Sequence, residues 1–174
     1  MRPILAAGWL LLATACFAQS PEAPVDATPS MGSLGAADFV REVSASDQIE
    51  IESSRIAIER GSPEQQAFAK QMIDSHDKMR TDLERLVSIE KIPVALPVEL
   101  SKGDQARLDK LKTIEAAKFI AEYAMLQVVK HQNTVALFER YAKDGDNMSL
   151  KAWARRTLPT VRHDLAAAEK LPRS

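Results

Sequence analysis

Glu50, His76 and His131 are the residues whose types and spacing could support chemistry. Each histidine lies in the middle of an apolar stripe at helical spacing, His76 in "QMIDSH" and His131 in "LQVVKH". Glu50 lies on a helix face of small residues that includes Val43 and Ala57. Imidazole nitrogen and carboxylate oxygen are ligands that divalent first-row metals accept. If all three side chains face one interior, they could hold such an ion.

The same residues have a second interpretation, which we favour on the sequence alone. Buried polar groups need partners, so Glu50, His76 and His131 could form a hydrogen-bonded cluster that fixes the register of the helices. Met72 and Met79 flank His76, but methionine at helical spacing is usually core filler. The sequence therefore predicts no cofactor, with a divalent transition metal as the alternative.

A di-iron centre is excluded by the residues that precede the histidines. Such centres in helical bundles place a glutamate three residues before each ligating histidine. The chain has Ile73 and Val128 before His76 and His131, and Thr160 before His163. His163 itself points away from the apolar face of its helix and is predicted to be exposed, while its neighbour Asp164 lies nearer the core.

Composition restricts the function further. The chain has 23 basic and 24 acidic residues, interspersed without a basic block, so nucleic-acid binding is not expected. Cys16 is the only cysteine, which excludes disulfides and thiol catalysis in the folded domain. No serine has a neighbouring acid–base arrangement or a nucleophile-elbow motif, and we expect a protein that is not an enzyme.

The N-terminus predicts export. Arg2 precedes an apolar run too short to span a bilayer, and small residues follow it, which is typical of a signal peptide over 1–18. Cleavage after Ala18 would release a periplasmic protein without a transmembrane helix. Acylation of Cys16 in "ATAC" is the alternative and would give a membrane-anchored lipoprotein. Residues 19–35 are predicted to be a flexible linker and 36–172 the folded domain.

Helical periodicity runs through the whole domain, and no segment alternates with the period of a strand. The pattern predicts an all-α fold, a ferritin-like four-helix bundle with a short extra helix in the long connection after the second helix. Ser62, Pro63 and Gln65 predict a capped start for that second helix, and Pro159 a kink in the last. The predicted helices cover Ala36–Arg60, Ser62–Glu90, Gly103–Lys112, Glu115–Lys143 and Leu150–Leu171.

Several short motifs in order resemble a family of exported bacterial proteins, catalogued as domain of unknown function 4142 and described as ferritin-like. The resemblance covers residues 38–171 and implies the fold and the compartment, but no established activity. The motifs are "DFV" (38–40), "EIESSRIA" (50–57), "FAKQMIDSH" (68–76), "IPVALP" (92–97), "FIAEYAMLQVVKHQNTVALF" (119–138) and "TLPTVRHDLAAAEKL" (157–171).

This chain departs from the family pattern at three polar positions. Ser75 stands where an aspartate usually precedes the histidine of the second helix, and Ile120 where an aspartate follows the phenylalanine of "FIAEY". Asp164 stands where the family has a histidine before leucine. A ligand set inherited from the family would be altered at these places.

These observations lead to a preferred function and two alternatives. We expect a non-enzymatic periplasmic bundle with an envelope or stress-related binding role. The first alternative is a metal-binding or metal-dependent redox protein that uses Glu50, His76 and His131. The second is a module that docks an envelope partner or a second copy of itself, in which case Trp153 would lie exposed at an interface instead of packing at the end of the bundle.

Overall fold

The computed structural model describes residues 34–96 and 98–174, and within them helices are the only regular secondary structure. The prediction of an all-α bundle is confirmed. The predicted signal peptide, and all but the last two residues of the predicted linker, lie outside the described residues. The helices are α1 (Ala36–Arg60), α2 (Pro63–Glu90), α3 (Lys102–Thr113), α4 (Ala116–Asp144) and α5 (Met148–Ala168).

The turn between α1 and α2 is as tight as the sequence predicts. Ser62 caps α2: its side chain accepts a hydrogen bond from the Gln65 backbone, and the Gln65 side chain accepts one from the Ser62 backbone. Gly61 allows the close approach, because a Cβ atom there would lie 2.7 Å from the Ala57 carbonyl oxygen. The chain therefore reverses within two residues, and α1 and α2 pack side by side.

The contacts at one end of the bundle define its topology. Phe39, at the start of α1, stacks on Tyr141 near the end of α4 with ring centroids 3.9 Å apart. It also meets Trp153, near the start of α5, edge to face at 6.1 Å. Thus α1 runs antiparallel to α4 and parallel to α5, and α2 and α4 run in the same direction. This order requires one long crossover, which residues 91–101 and α3 provide.

A polar layer divides the interior into two apolar clusters. One cluster contains Phe39, Leu83, Phe138 and Trp153 at the end where α1 begins, and the other surrounds Phe119 at the opposite end. Between them, α1, α2, α4 and α5 each place polar residues inside the bundle. The fully buried polar residues of the layer are Asp47, Glu50, Ser53, Ser54, His76, Gln127, His131, Thr134 and Asp164.

The structure corrects some details of the predicted helices. The last helix begins at Met148, two residues before the predicted start, because the Asn147 side chain accepts a hydrogen bond from the Leu150 backbone and caps it. It ends at Ala168, before the predicted Leu171, and α3 and α4 differ from their predicted bounds by one residue at each end. Helix α5 continues through Pro159. Trp153 is buried in the core, as the packing alternative predicts.

Helix α3 is fixed across the α1–α4 side of the bundle by a buried ion pair. Lys130 on α4 donates to Asp104 at 2.5 Å, and the two side chains are only 17% and 13% exposed. Burial tends to raise the pKa of Asp104, but hydrogen bonds from Lys130, Ser101 and Arg107 outweigh it and lower the pKa below its ordinary value. The ionised form of Asp104 therefore stabilises the folded state.

Replacing Asp104 with asparagine should lower the free energy of unfolding by about 1 to 2 kcal/mol at neutral pH, since a charged hydrogen-bond acceptor is lost. Because the folded-state pKa is lowered, this contribution is complete above the unfolded-state pKa and disappears as the pH falls. The difference between the two proteins should therefore narrow below about pH 4. Denaturant titrations across the acidic range would measure it.

The matched control is Glu122→Gln, which removes an exposed ion pair between α4 and Lys110 of α3. That change should have little effect on stability at any pH, because exposed pairs contribute weakly. An equal loss in both variants, or a pH-independent loss in the Asp104 variant, would contradict the interpretation.

Candidate metal centre

Glu50, His76 and His131 come together in the polar layer, as the sequence predicts. They lie near the middle of α1, α2 and α4 and are at most 2% exposed. The two imidazole rings have centroids 5.7 Å apart. One potential ligand atom from each of the three side chains lies within 4.8 Å of the other two. Three separate helices thus each contribute one potential ligand group to the same region of the core.

Asp47 orients the ring of His76. Its Oδ1 atom lies 2.8 Å from His76 Nδ1, and both side chains are buried. A carboxylate that accepts from Nδ1–H fixes the neutral tautomer, in which Nε2 carries the lone pair. Second-sphere carboxylates of this kind typically hold metal-ligating histidines in position.

Asp47 is absent from the residues predicted to form the cluster, although its position in the sequence carries a signal. Asp47 precedes Glu50 by three residues and follows Val43 by four, so it lies on the inward face of α1. An aspartate on a helix is usually exposed to solvent, so Asp47 was not expected in the core. Its burial depends on His76, which is remote in sequence.

His131 is oriented by its own helix. Its Nδ1 atom lies 2.8 Å from the backbone carbonyl oxygen of Gln127, one turn earlier on α4. The Gln127 side chain donates to Ser53 on α1 at 3.0 Å, and Ser53 donates to the carbonyl oxygen of Glu50. These bonds hold α1 and α4 in register around the glutamate without satisfying its carboxylate.

Four of the buried side-chain atoms without a hydrogen-bond partner belong to the candidate ligands, and Asp47 Oδ2, Gln48 Oε1 and Gln127 Oε1 are also without one. Both carboxylate oxygens of Glu50 and the Nε2 atoms of His76 and His131 are buried and have no protein partner. The nearest approach between Glu50 and His131 is 3.7 Å, beyond hydrogen-bonding distance. Buried polar atoms in native proteins are nearly always paired, so four such atoms in one place point to a bound group.

The charges of the layer favour a cation. Asp47, Glu50 and Asp164 are each at most 2% exposed, and their formal charge would be −3 if all three were ionised and both histidines neutral. Burial raises the pKa of Glu50, although the charges of His131 and His76, the side-chain amide of Gln127 and the charge of Lys130 oppose the shift. Burial likewise raises the pKa of Asp47 despite its bond to His76.

The nearby acids raise the pKa of His76, whereas its burial lowers it. Burial tends to lower the pKa of His76, but the hydrogen bond and charge of Asp47, with the charges of Glu50 and Asp164, outweigh it and raise the pKa. The layer therefore attracts positive charge, which either protons or a metal ion can supply.

The spacing of the ligands is somewhat wider than a bound ion requires. Ligand atoms about 2.0 to 2.2 Å from a tetrahedral metal lie about 3.3 Å from one another. The observed limit of 4.8 Å exceeds this by an amount that small side-chain rotations of Glu50 and the two histidines could remove. The residues present fit a transition metal with two nitrogen ligands and one oxygen ligand.

Asp164 and His163 lie where the helical-wheel argument predicts. His163 is exposed, and Asp164 is buried and accepts a hydrogen bond from Ser75 at 2.9 Å. Two positions at which the chain departs from the family pattern, Ser75 and Asp164, are thus bonded to each other. His163 is not part of the ligand cluster.

Comparison with known proteins identifies the family and leaves the activity open. The model of the family described as "Domain of unknown function (DUF4142)" matches residues 20–171. The chain belongs to this family. The match includes every residue of the candidate centre and confirms the family resemblance drawn from the sequence motifs. No curated protein and no solved structure matches the chain.

Asp47 and Glu50 of this DUF4142 domain are buried acids one turn apart on α1. Replacing each with leucine should change the free energy of unfolding in opposite directions. In the metal-free protein, Glu50→Leu should increase the free energy of unfolding by about 1 to 3 kcal/mol, because an unpartnered buried carboxylate is replaced by an apolar group. Asp47→Leu should decrease it by about 1 to 3 kcal/mol, because His76 loses its hydrogen-bond partner. Denaturant unfolding in the presence of a chelator would measure both.

Equal destabilisation by the two substitutions would show that Glu50 is a satisfied structural residue. A stabilising Glu50 variant would instead show that the native residue is kept at a cost to the fold, as is common at functional sites.

Proposed function

We propose that this DUF4142 protein binds one divalent transition-metal ion in the core of its bundle through Glu50, His76 and His131. The observation that carries the proposal is that one potential ligand atom from each of these three buried side chains lies within 4.8 Å of the other two, while both carboxylate oxygens of Glu50 and both Nε2 atoms have no hydrogen-bond partner. In both rings Nδ1 is engaged in a hydrogen bond, which leaves Nε2 as the free nitrogen.

A self-contained polar cluster is the competing interpretation, and it accounts for the geometry less well. It explains the Asp47–His76 bond and the bond from His131 to its own helix. It does not explain why Glu50 lies between the two rings with neither oxygen hydrogen-bonded. A bound cation would satisfy the glutamate and both rings together and offset the charge of the layer.

The donor set indicates which ions the site would accept. Two imidazoles and one carboxylate suit zinc, cobalt, manganese or ferrous iron, whereas calcium and magnesium prefer oxygen ligands alone. Among the described residues no cysteine is available, so soft ions such as Cu(I) have no thiolate to bind. We therefore propose a binding or storage role for a borderline divalent ion.

Metal content is the direct test. Protein isolated from metal-replete cells should contain about one zinc, manganese or iron ion per chain by elemental analysis, as expected for a site with one set of ligands. His131→Ala should remove most of it, because one of three ligands is lost.

His163→Ala is the matched control, since His163 is an exposed histidine on a neighbouring helix. This variant should retain the metal. Absence of metal from the wild-type protein after reconstitution, or equal binding by the wild-type and His131→Ala proteins, would overturn the proposal.

We also propose that the protein is exported, on the basis of the N-terminal sequence "MRPILAAGWLLLATACFAQS". None of the helices in the described part of the chain is long and apolar enough to cross a membrane. The intact mass of protein from its native host decides among the forms. A chain that starts at Gln19 would support the periplasmic form, one that starts at an acylated Cys16 the lipoprotein, and an unprocessed chain would contradict both.

A further inference from the structure

A groove between α2 and α5 reaches the polar layer from outside. It is a cavity of about 770 Å³, and its lining includes Ser75, Lys78, Trp153, Thr160, His163 and Asp164. Ser75 is the residue directly before His76, so the wall of the groove and the proposed metal ligand are neighbours on α2. The lining of the groove therefore includes the residue next to the proposed ligand His76.

Asp164 connects the groove with the buried centre. Its carboxylate lines the groove but is only 2% exposed, and one of its oxygens accepts from Ser75 at 2.9 Å. On its inner side its charge is close enough to His76 to contribute to the raised pKa of that ring. The inner end of the groove thus carries an acid, while its rim carries both signs through Asp74, Lys78, Asp82 and Arg156.

The opposite seam, between α1 and α4, contains a smaller cavity than the groove. The cavity there is about 220 Å³. Ser46 and Thr134 are hydrogen-bonded across the seam at 2.9 Å. Lys130 lies beside it, where its ammonium group is held by Asp104 of α3. Glu42 and Asp104 also line this seam, so its smaller size and the Ser46–Thr134 bond, and not its charge, distinguish it from the groove.

We infer that the metal ion enters and leaves through the α2–α5 groove, with Asp164 as the inner attracting group and its bond to Ser75 as the contact that must open. This inference rests on the proposed metal function and specifies how the closed site is loaded. The ion would exchange its bond to the Asp164 carboxylate for bonds to the imidazoles and Glu50.

Blocking each seam in turn tests the route. In the full chain carrying Cys16→Ser, one cysteine is introduced at an exposed position of the groove, Thr160→Cys, and one at an exposed position of the opposite seam, Asn133→Cys. Each variant is labelled with the same bulky maleimide. Uptake of Co²⁺ is followed by stopped-flow absorption, and its removal by an excess of chelator.

The adduct at Thr160→Cys should slow both uptake and removal by at least an order of magnitude and leave the final amount of bound Co²⁺ unchanged, since a blocked path alters rates without altering the equilibrium. The adduct at Asn133→Cys should leave both rates unaltered. Thermal unfolding of the labelled proteins verifies that both remain folded.

Asp164→Asn provides a second test that needs no label. Removal of the attracting charge should reduce the rate of Co²⁺ uptake by about 10-fold, more at low than at high ionic strength, as for other steered associations. Unchanged rates in the groove variants, or slower exchange only with the adduct at Asn133→Cys, would overturn the route while leaving the metal site intact. Failure of the unlabelled protein to bind Co²⁺ would overturn the metal site itself.

Discussion

Burial of ionisable groups without enough partners is the constraint on which the rest of this structure depends. Asp47, Glu50 and Asp164 are withdrawn from water in the middle of a bundle whose two ends are apolar. Asp47 is compensated by His76 and Asp164 by Ser75, but neither carboxylate oxygen of Glu50 has a hydrogen-bond partner, and His131 Nδ1 lies 3.7 Å from Glu50 Oε1. A fold selected for stability alone would place an apolar residue there.

The surrounding structure is arranged to keep this centre in place. Each histidine is held through Nδ1, His76 by an acid on another helix and His131 by the carbonyl oxygen of its own helix. The Nε2 atoms of both rings are thereby held in place, although they have no hydrogen-bond partner. Such preorganisation lowers the entropic cost of binding, because the ligands need not be ordered when an ion arrives.

The apolar ends supply the stability that the polar layer lacks. The stacked Phe39 and Tyr141 rings and the edge contact with Trp153 hold three helices together at one end, and Phe68 of α2 meets Tyr123 of α4 edge to face at the other. With both ends fixed, the middle layer can contain unpaired groups without separation of the helices. The groove beside α5 shows that the packing is less close where Asp164 meets Ser75.

Much of the architecture is determined by the sequence alone, because the signals are local. The period of the apolar residues, the capping box at Ser62 and the prolines around Val94 define the elements and the one long connection. The inward direction of His76 and His131 also follows, since both lie in the centre of apolar stripes. Even the offset of His163 from Asp164 is a consequence of helical geometry.

What only the tertiary structure decided is which polar atoms find partners. Asp47 becomes a buried partner of His76 because α1 and α2 pack in one register, and no local pattern distinguishes it from a solvated aspartate. That Glu50 is left unpaired depends on distances among three helices far apart in sequence. Hydrogen bonding depends on distances of tenths of an ångström, whereas periodicity specifies only which face of a helix a residue occupies. The sequence therefore predicts a cluster of polar side chains, and only the structure shows which of their atoms lack partners.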